Sequence, residues 1–232
     1  MNVKQFRYSI DNFGYLIHGK QSALAIDGGA VDAMLSFIKT QNLKLEFVAN
    51  THGHADHTVG TKALLDGSNA SYITFKQLVS AEFVELEGSK IQVYHTPGHT
   101  EDSVTFHLNN ILVTGDTLFN GTVGNCFTND LKSFYRSIKR LMDLPGDTIV
   151  YAGHDYVKDS MAFAEFVEPD NPDIKTFMEK YDPGHLFSTL DEELKINPYL
   201  RFNQQPIISF LEKRGLPVET EYQRWESLMS IE

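Results

Sequence analysis

Six of the chain's nine histidines fall in three short loops, each directly after a predicted strand. The loops are Thr51-His52-Gly53-His54-Ala55-Asp56-His57, His95-Thr96-Pro97-Gly98-His99-Thr100 and Gly153-His154-Asp155. A fourth loop of the same kind, Gly115-Asp116-Thr117, carries a carboxylate. Imidazole and carboxylate without thiolate suit zinc, manganese or iron. Residues two apart in an extended segment point to one side, so His52 and His54 can grip one ion from a single loop. Asp56 and His57 stand where the chain turns into the next helix and point into a neighbouring position, where they can hold a second ion. Two ligand sets within six residues need a tight backbone, which Gly53 and Ala55 permit. A lone histidine is more often a surface residue, and His18, His95, His107 and His185 take that reading. Recurrence at ligand spacing sets the Thr51 to His57 cluster apart. Shared placement at strand ends brings His99, Asp116 and His154 into the same group. A structural zinc site would be closed and usually rich in cysteine. A sulfur-free site with shared ligands leaves positions for water, which favours catalysis.

The pattern around these loops alternates strands and helices. Phe6 to Ile10 and Tyr15 to His18 are β-like around an Asp11-Asn12 turn, and Ala23 to Ile26 is a short apolar run ending in Asp27-Gly28-Gly29. Val31 to Thr40 has helical periodicity, Leu45 to Ala49 is a strand, and Thr58 to Leu65 reads as one helix. Strands follow at 83–86, 91–95, 103–108 and 111–114, the last two joined by an Asn109-Asn110 hairpin turn. Asp130 to Leu144 is an amphipathic helix, and Thr148 to Tyr151 a strand. From about Met161 strands stop, and helical segments follow at 160–167, 174–181, 206–214 and 219–230. This predicts an α/β body over 1–160 and a helical C-terminal region over 161–232.

The 232 residues are 41% hydrophobic and 22% charged, enough to bury a substantial core and unlike a disordered chain. A formal charge of -11 and no cluster of Lys and Arg weigh against nucleic acid as a partner. Cys126 is the single cysteine, which rules out an intramolecular disulfide. No apolar stretch reaches membrane-spanning length, and Met1 to Asp11 has no signal-like apolar core. The expectation is a cytoplasmic protein without membrane contact; the oligomeric state is left open.

The order H-x-H-x-D-H at His52 to His57, then His99, Asp116 and His154, resembles the metallo-β-lactamase superfamily. Within it the chain is most similar to glyoxalase II, the hydroxyacylglutathione hydrolases. The likeness runs through Thr96-Pro97-Gly98-His99-Thr100, Thr114-Gly115-Asp116-Thr117-Leu118-Phe119 and Gly153-His154-Asp155-Tyr156. It continues through Glu168-Pro169-Asp170-Asn171 and the stretch from Ser188-Thr189-Leu190 to Asn197-Pro198-Tyr199-Leu200-Arg201. The resemblance implies an αββα sandwich with two divalent ions, zinc by default and iron or manganese as alternatives, at one edge. It assigns His52, His54 and His99 to one ion, Asp56, His57 and His154 to the other, and Asp116 to both. The implied reaction is cleavage of a small-molecule thioester by a metal-bridging hydroxide, with Asp56 and Asp116 as catalytic carboxylates.

Tyr156, Phe127 and Asn125 are the expected substrate contacts, with an interior tyrosine as the competing role for Tyr156 and packing on the helical region for Phe127. Asp27 is expected either to orient a ligand histidine or to cap the Gly28-Gly29 turn, Cys126 to line the pocket, and Trp225 to anchor the core. Two departures from the family stand out. The loop Gly121 to Phe127 has no basic residue, and Gln223 and Glu226 occupy places where the family's terminal helix offers cations. The alternatives are a persulfide dioxygenase with one iron on His52, His99 and Asp116, and a metallo-hydrolase of another ester or a lactone.

Overall fold

The computed structural model describes residues 1–231. One sheet holds β1 (Asn2–Tyr8), β2 (Asn12–His18), β3 (Ser22–Ile26), β4 (Lys44–Ala49) and β5 (Ser71–Tyr72), hydrogen-bonded in that order. Its connections carry α1 (Val31–Thr40), α2 (Ala55–Thr58) and α3 (Thr61–Asp66), and α4 (Phe75–Ala81) leads out of it. The second sheet uses β6 (Phe83–Leu86), β7 (Ser89–His95), β8 (Val104–Leu108), β9 (Ile111–Gly115), β10 (Ile149–Ala152) and β11 (Ser188–Thr189), in the spatial order β11-β10-β9-β8-β7-β6. The remaining helices are α5 (Leu131–Met142), α6 (Val157–Val167), α7 (Pro172–Lys180), α8 (Leu190–Ile196), α9 (Gln205–Glu212) and α10 (Glu221–Met229).

Strand alternation explains why the sheets face each other. Tyr15, Ile17, Leu24 and Ile26 of the first sheet pack with Ile91, Val93, Phe106 and Val113 of the second in one inner core. Their chain neighbours Leu16, Ala23 and Ala25 point the other way, against Met34 and Ile38 of α1 and Leu64 of α3. Leu112 and Val150 likewise turn outward onto Phe134, Ile138 and Leu141 of α5 and the helices beyond. A residue period of two therefore builds three apolar layers between four layers of structure. The result is the αββα sandwich with a helical C-terminal region. Trp225 is fully buried among these outer helices, as expected of a core anchor.

Two readings of the pattern are corrected. Thr58 to Leu65 is not one helix: α2 and α3 are separate, and a Cβ on Gly60 between them would lie 1.9 Å from the Gly28 carbonyl oxygen. Backbone meets backbone there, which leaves no room for a side chain at residue 60. Strands also do not stop at Met161, since β11 pairs antiparallel with β10 through Ile149–Thr189 and Val150–Ser188. Helices α4 and α8 are additions to the pattern. Both open on a capping box, Thr74 with Gln77 and Thr189 with Glu192, a T-x-x-Q/E signal visible in the sequence. Among the described residues, no helix is long and apolar enough to cross a membrane.

Candidate metal centre

Strand direction brings the loops together. β3 and β4 are parallel, as are β9 and β10, so each pair ends on one edge of its sheet. β7 and β9 are both antiparallel to β8, so β7 ends with β9. β2 is antiparallel to β3 and therefore begins where β3 ends. His52 and His54 follow β4, Asp56 and His57 lie in α2, His99 follows β7, Asp116 follows β9, and His154 follows β10. A β-bridge between Asn12 and His154 and a hydrogen bond from Phe13 N–H to the Gly153 carbonyl join the two sheets at this edge.

All seven expected ligands converge there. One ligand atom from each of His52, His54, His99 and Asp116 lies within 4.8 Å of the others, and the same holds for Asp56, His57 and His154. His54 Nδ1 is 2.9 Å from His52 Nε2 and 3.0 Å from His99 Nε2. His57 Nε2 is 3.1 Å from His154 Nε2, which is 3.3 Å from Asp56 Oδ2. Asp116 stands between the sets, with Oδ1 at 3.3 Å from His57 Nε2 and Oδ2 at 3.4 Å from both His99 Nε2 and His154 Nε2.

The outward-facing ring nitrogens explain what these contacts are. His57 Nδ1 donates to Asp27 Oδ2 at 2.9 Å, His99 Nδ1 to the Asn125 carbonyl at 3.0 Å, and His154 Nδ1 to Asp11 Oδ1 at 3.2 Å. The Thr51 hydroxyl donates to Asp27 Oδ2 and so accepts from His52 Nδ1 at 3.1 Å. These partners place the proton of each imidazole on Nδ1 and leave Nε2 as a bare lone pair. Nε2 of His57 and His154 thus face each other at 3.1 Å, and Nε2 of His52 and His99 face Nδ1 of His54 at 2.9 and 3.0 Å. With neutral rings such an arrangement is repulsive unless metal cations, or extra protons on His57 and His154, sit among them. Asp116 is buried and its Oδ1 has no hydrogen-bond donor. A Cβ on Gly153 would lie 2.2 Å from that oxygen, so only glycine leaves the space in front of it free.

The electrostatics agree. Burial, with His57 beside it, holds His52 down to about 4, and burial likewise lowers His99, so both offer unprotonated nitrogens at neutral pH. Burial would also lower His57, but Asp27 and Asp116 overcome it and raise the ring to about 11. His154 is raised in the same way, its burial outweighed by Asp116. Burial opposes charge on Asp116, yet His154 and His57 drive its carboxyl far below the usual range. The cluster demands positive charge between its carboxylates, and its donor set fits a binuclear metal site.

Asp27 performs the orienting role, accepting from Thr51 N–H at 2.8 Å as well as from His57. Asp11 and Asn12 escaped the sequence reading, which saw in them only a turn. Asp11 orients His154, and Asn12 donates to Asp56 Oδ2 at 2.9 Å. Nothing local marks them, since their partners lie 143 and 44 residues away.

A cavity of about 360 Å³ adjoins the centre, lined in part by Phe119, Asn125 and Tyr156. The Tyr156 ring stacks on His154 at 5.0 Å with an interplanar angle of 5°. Phe127 is exposed and lies edge-on to His54 and His99, at 5.6 and 5.2 Å, at the mouth of the site. Asn125 acts on His99 through its backbone carbonyl. Cys126 packs on the helical core and is not part of this cavity's lining. Among the remaining histidines, His95 Nε2 donates to the Glu101 carbonyl and His107 pairs with the Tyr94 hydroxyl, away from the ligand sets.

Residues 71–154 match the family model of the metallo-beta-lactamase superfamily, and residues 155–228 that of the hydroxyacylglutathione hydrolase C-terminus. The chain is 31% identical over 236 residues to a hydroxyacylglutathione hydrolase of Idiomarina loihiensis, covering 94% of this chain and 93% of that protein. It is 28% identical over 250 residues to one from Pseudoalteromonas translucida, covering 100% and 97%. Among solved structures it is similar to ETHE1 from Myxococcus xanthus, with a TM-score of 0.67 and 26% identity over 98% of this chain and 100% of that one.

Proposed function

The chain belongs to the hydroxyacylglutathione hydrolase family of the metallo-β-lactamase superfamily, and from that premise we propose that this metallo-hydrolase cleaves a small-molecule thioester. The observation that carries the reading is the pair of ligand sets meeting at Asp116, beside a cavity large enough for a small acyl-thiol. Two divalent ions held there would supply a water deprotonated near neutral pH and polarise the acyl carbonyl.

The protein's own groups do the rest. His52, His54 and His99 hold one position, Asp56, His57 and His154 the other, and Asp116 fixes the spacing between them. Asp27, Asp11, Thr51 and the Asn125 carbonyl hold the imidazoles in the required tautomer. Burial, together with Asp11, Asp116 and Asp56, raises the Tyr156 phenol to about 12. It therefore stays protonated at neutral pH and can donate to bound substrate. Phe127 offers an apolar wall at the mouth, and Phe163 brings the helical region 161–232 into the cavity wall. In the reaction the water oxygen bonds to the acyl carbon, the C–S bond breaks, and the sulfur leaves with the electron pair. A thiolate needs little protonation to leave, which fits a site without a further general acid.

The test is parallel assay of the metal-loaded protein on an S-acyl thiol and a lactone, with metal content and oxygen uptake measured. Thioester cleavage with two metal ions per chain is expected. One iron per chain with oxygen consumption would overturn the reading, and preferential lactone cleavage would move it to another ester. Asp116→Ala is expected to lose metal and activity together, and full metal occupancy in that variant would overturn the bridging role.

A further inference from the structure

The stretch from Ser188 to Arg201 lies outside both ligand sets, yet three of its side chains meet the loop that leads away from Asp116. Asn120 Nδ2 donates to the Ser188 hydroxyl at 2.6 Å, Gly121 N–H to Glu193 Oε2 at 2.9 Å, and Asn197 Nδ2 to the Thr122 carbonyl at 3.1 Å. These contacts converge on one carboxyl group. Asn197 also donates to Glu193 Oε2 at 2.9 Å, and Ser188 bonds the same side chain. The loop is thereby held at three successive residues, where Gly121 turns the chain with a φ of 93°.

This loop serves the site in two ways. Phe119, Thr122, Val123, Gly124 and Asn125 form one wall of the cavity. The Asn125 carbonyl accepts from His99 Nδ1 at 3.0 Å, and Phe127 N–H donates to the His99 carbonyl at 3.2 Å. Gly124 lies so close that a Cβ there would stand 3.0 Å from His99 Nδ1 and 2.0 Å from the Asp116 carbonyl oxygen. A shift of the 120–122 turn would therefore pass to the His99 ring and to the cavity wall together.

Glu193 is well placed to prevent such a shift. Its helix α8 opens on the Thr189–Glu192 capping box, and Leu190 N–H and Asp191 N–H donate to the Thr148 and Gly146 carbonyls at 2.9 and 2.8 Å. Glu193 itself is wholly buried, and a buried carboxyl group costs stability that an apolar side chain of similar size would not. Packing alone gives no reason for a carboxyl group at this position, whereas the donors around it do.

Resting on the metallo-hydrolase reading, we infer that Glu193 is a positioning residue of the metal centre. It holds the 120–122 turn, with Asn197 and Ser188, and through that turn sets the orientation of His99 and the cavity wall. The helical region is in this way coupled to the centre without supplying a ligand.

The experiment compares Glu193→Leu, which fills the space without an acceptor, with Glu193→Gln, which keeps one acceptor oxygen. Arg201→Ala is the control, because it loosens the helical region through Glu168 and leaves the loop untouched. In Glu193→Leu, one of the two zinc equivalents is expected to bind roughly tenfold more weakly in chelator competition. Segment 119–127 of the metal-free variant should lose protection in hydrogen exchange. KM for S-lactoylglutathione should rise about tenfold in the zinc-loaded variant. Glu193→Gln should stay within about threefold of wild type in zinc affinity and KM. Should Glu193→Leu fail to fold, Asn197→Ala, just beyond α8, carries the test, with the same losses at smaller size. Wild-type zinc affinity with unchanged exchange protection would overturn the inference. So would equal losses in Arg201→Ala, which would reduce the effect to stability. If the wild-type protein leaves the thioester uncleaved, the thioester reading falls, and zinc affinity and exchange still decide the role of Glu193.

Discussion

At the scale of single residues, the centre depends on carboxylates that touch no substrate. Asp27 adopts a φ of 51°, a conformation that aspartate tolerates better than most residues but still at some cost. Four accepted hydrogen bonds, from Thr51 N–H, the Thr51 hydroxyl, the Asn50 amide and His57, offset that strain. Asp27→Ala is expected to weaken metal binding about 10- to 100-fold, read by competition with a chromogenic chelator. Unchanged affinity would deny it an orienting role. Glu193 is a different case, fully buried and far from the ligands in sequence. It accepts from Gly121 N–H and Asn197, yet burial raises its carboxyl from 4.5 to about 7. The fold therefore favours the protonated form. Stability from this group is full below pH 4.5 and is lost as pH rises through 7, by up to ~3 kcal/mol. Glu193→Gln should lack this slope, so that wild type loses more thermal stability than the variant between pH 5 and 8. Parallel melting curves for the two proteins would contradict it.

At the scale of elements, the helical region is fastened by one ion pair more than by its surface charges. Arg201, beyond α8, grips Glu168 at the end of α6 with both arms, at 2.6 and 2.8 Å, and Glu168 is almost wholly buried. Arg201→Ala leaves that carboxylate uncompensated and is expected to cost about 3–5 kcal/mol in urea unfolding. Lys180 pairs with Glu192 at the surface, and Lys180→Ala should cost no more than ~1 kcal/mol. Equal effects would show that burial does not govern these pairs. Gly153 joins β10 to the centre, and Gly153→Ala should lower metal occupancy because its Cβ would fall 2.2 Å from Asp116 Oδ1. Metal content at wild-type levels in that variant would mean that the strand end can shift.

At the scale of the whole molecule, the candidate ligands come from both sheets, so bound metal would tie the sandwich together along one edge. Removal of metal by a chelator is expected to lower the melting temperature, and readdition to restore it, since a ligand that binds only the folded state stabilises it by mass action. A melting curve insensitive to metal would uncouple the centre from the fold. The repeating apolar pattern and the strand-end loops were legible in the chain itself because their periods are local: two along a strand, near four along a helix, and two between His52 and His54. The order of the seven candidate ligands was legible for the same reason, since each group of them follows a strand. What only the packed structure decided were the partners supplied across distance. Asp11 and Asn12 reach His154 and Asp56, Gly60 packs against the Gly28 backbone, and β11 returns to the second sheet. No sequence period links such pairs, because their proximity follows from strand direction and sheet stacking rather than from spacing along the backbone.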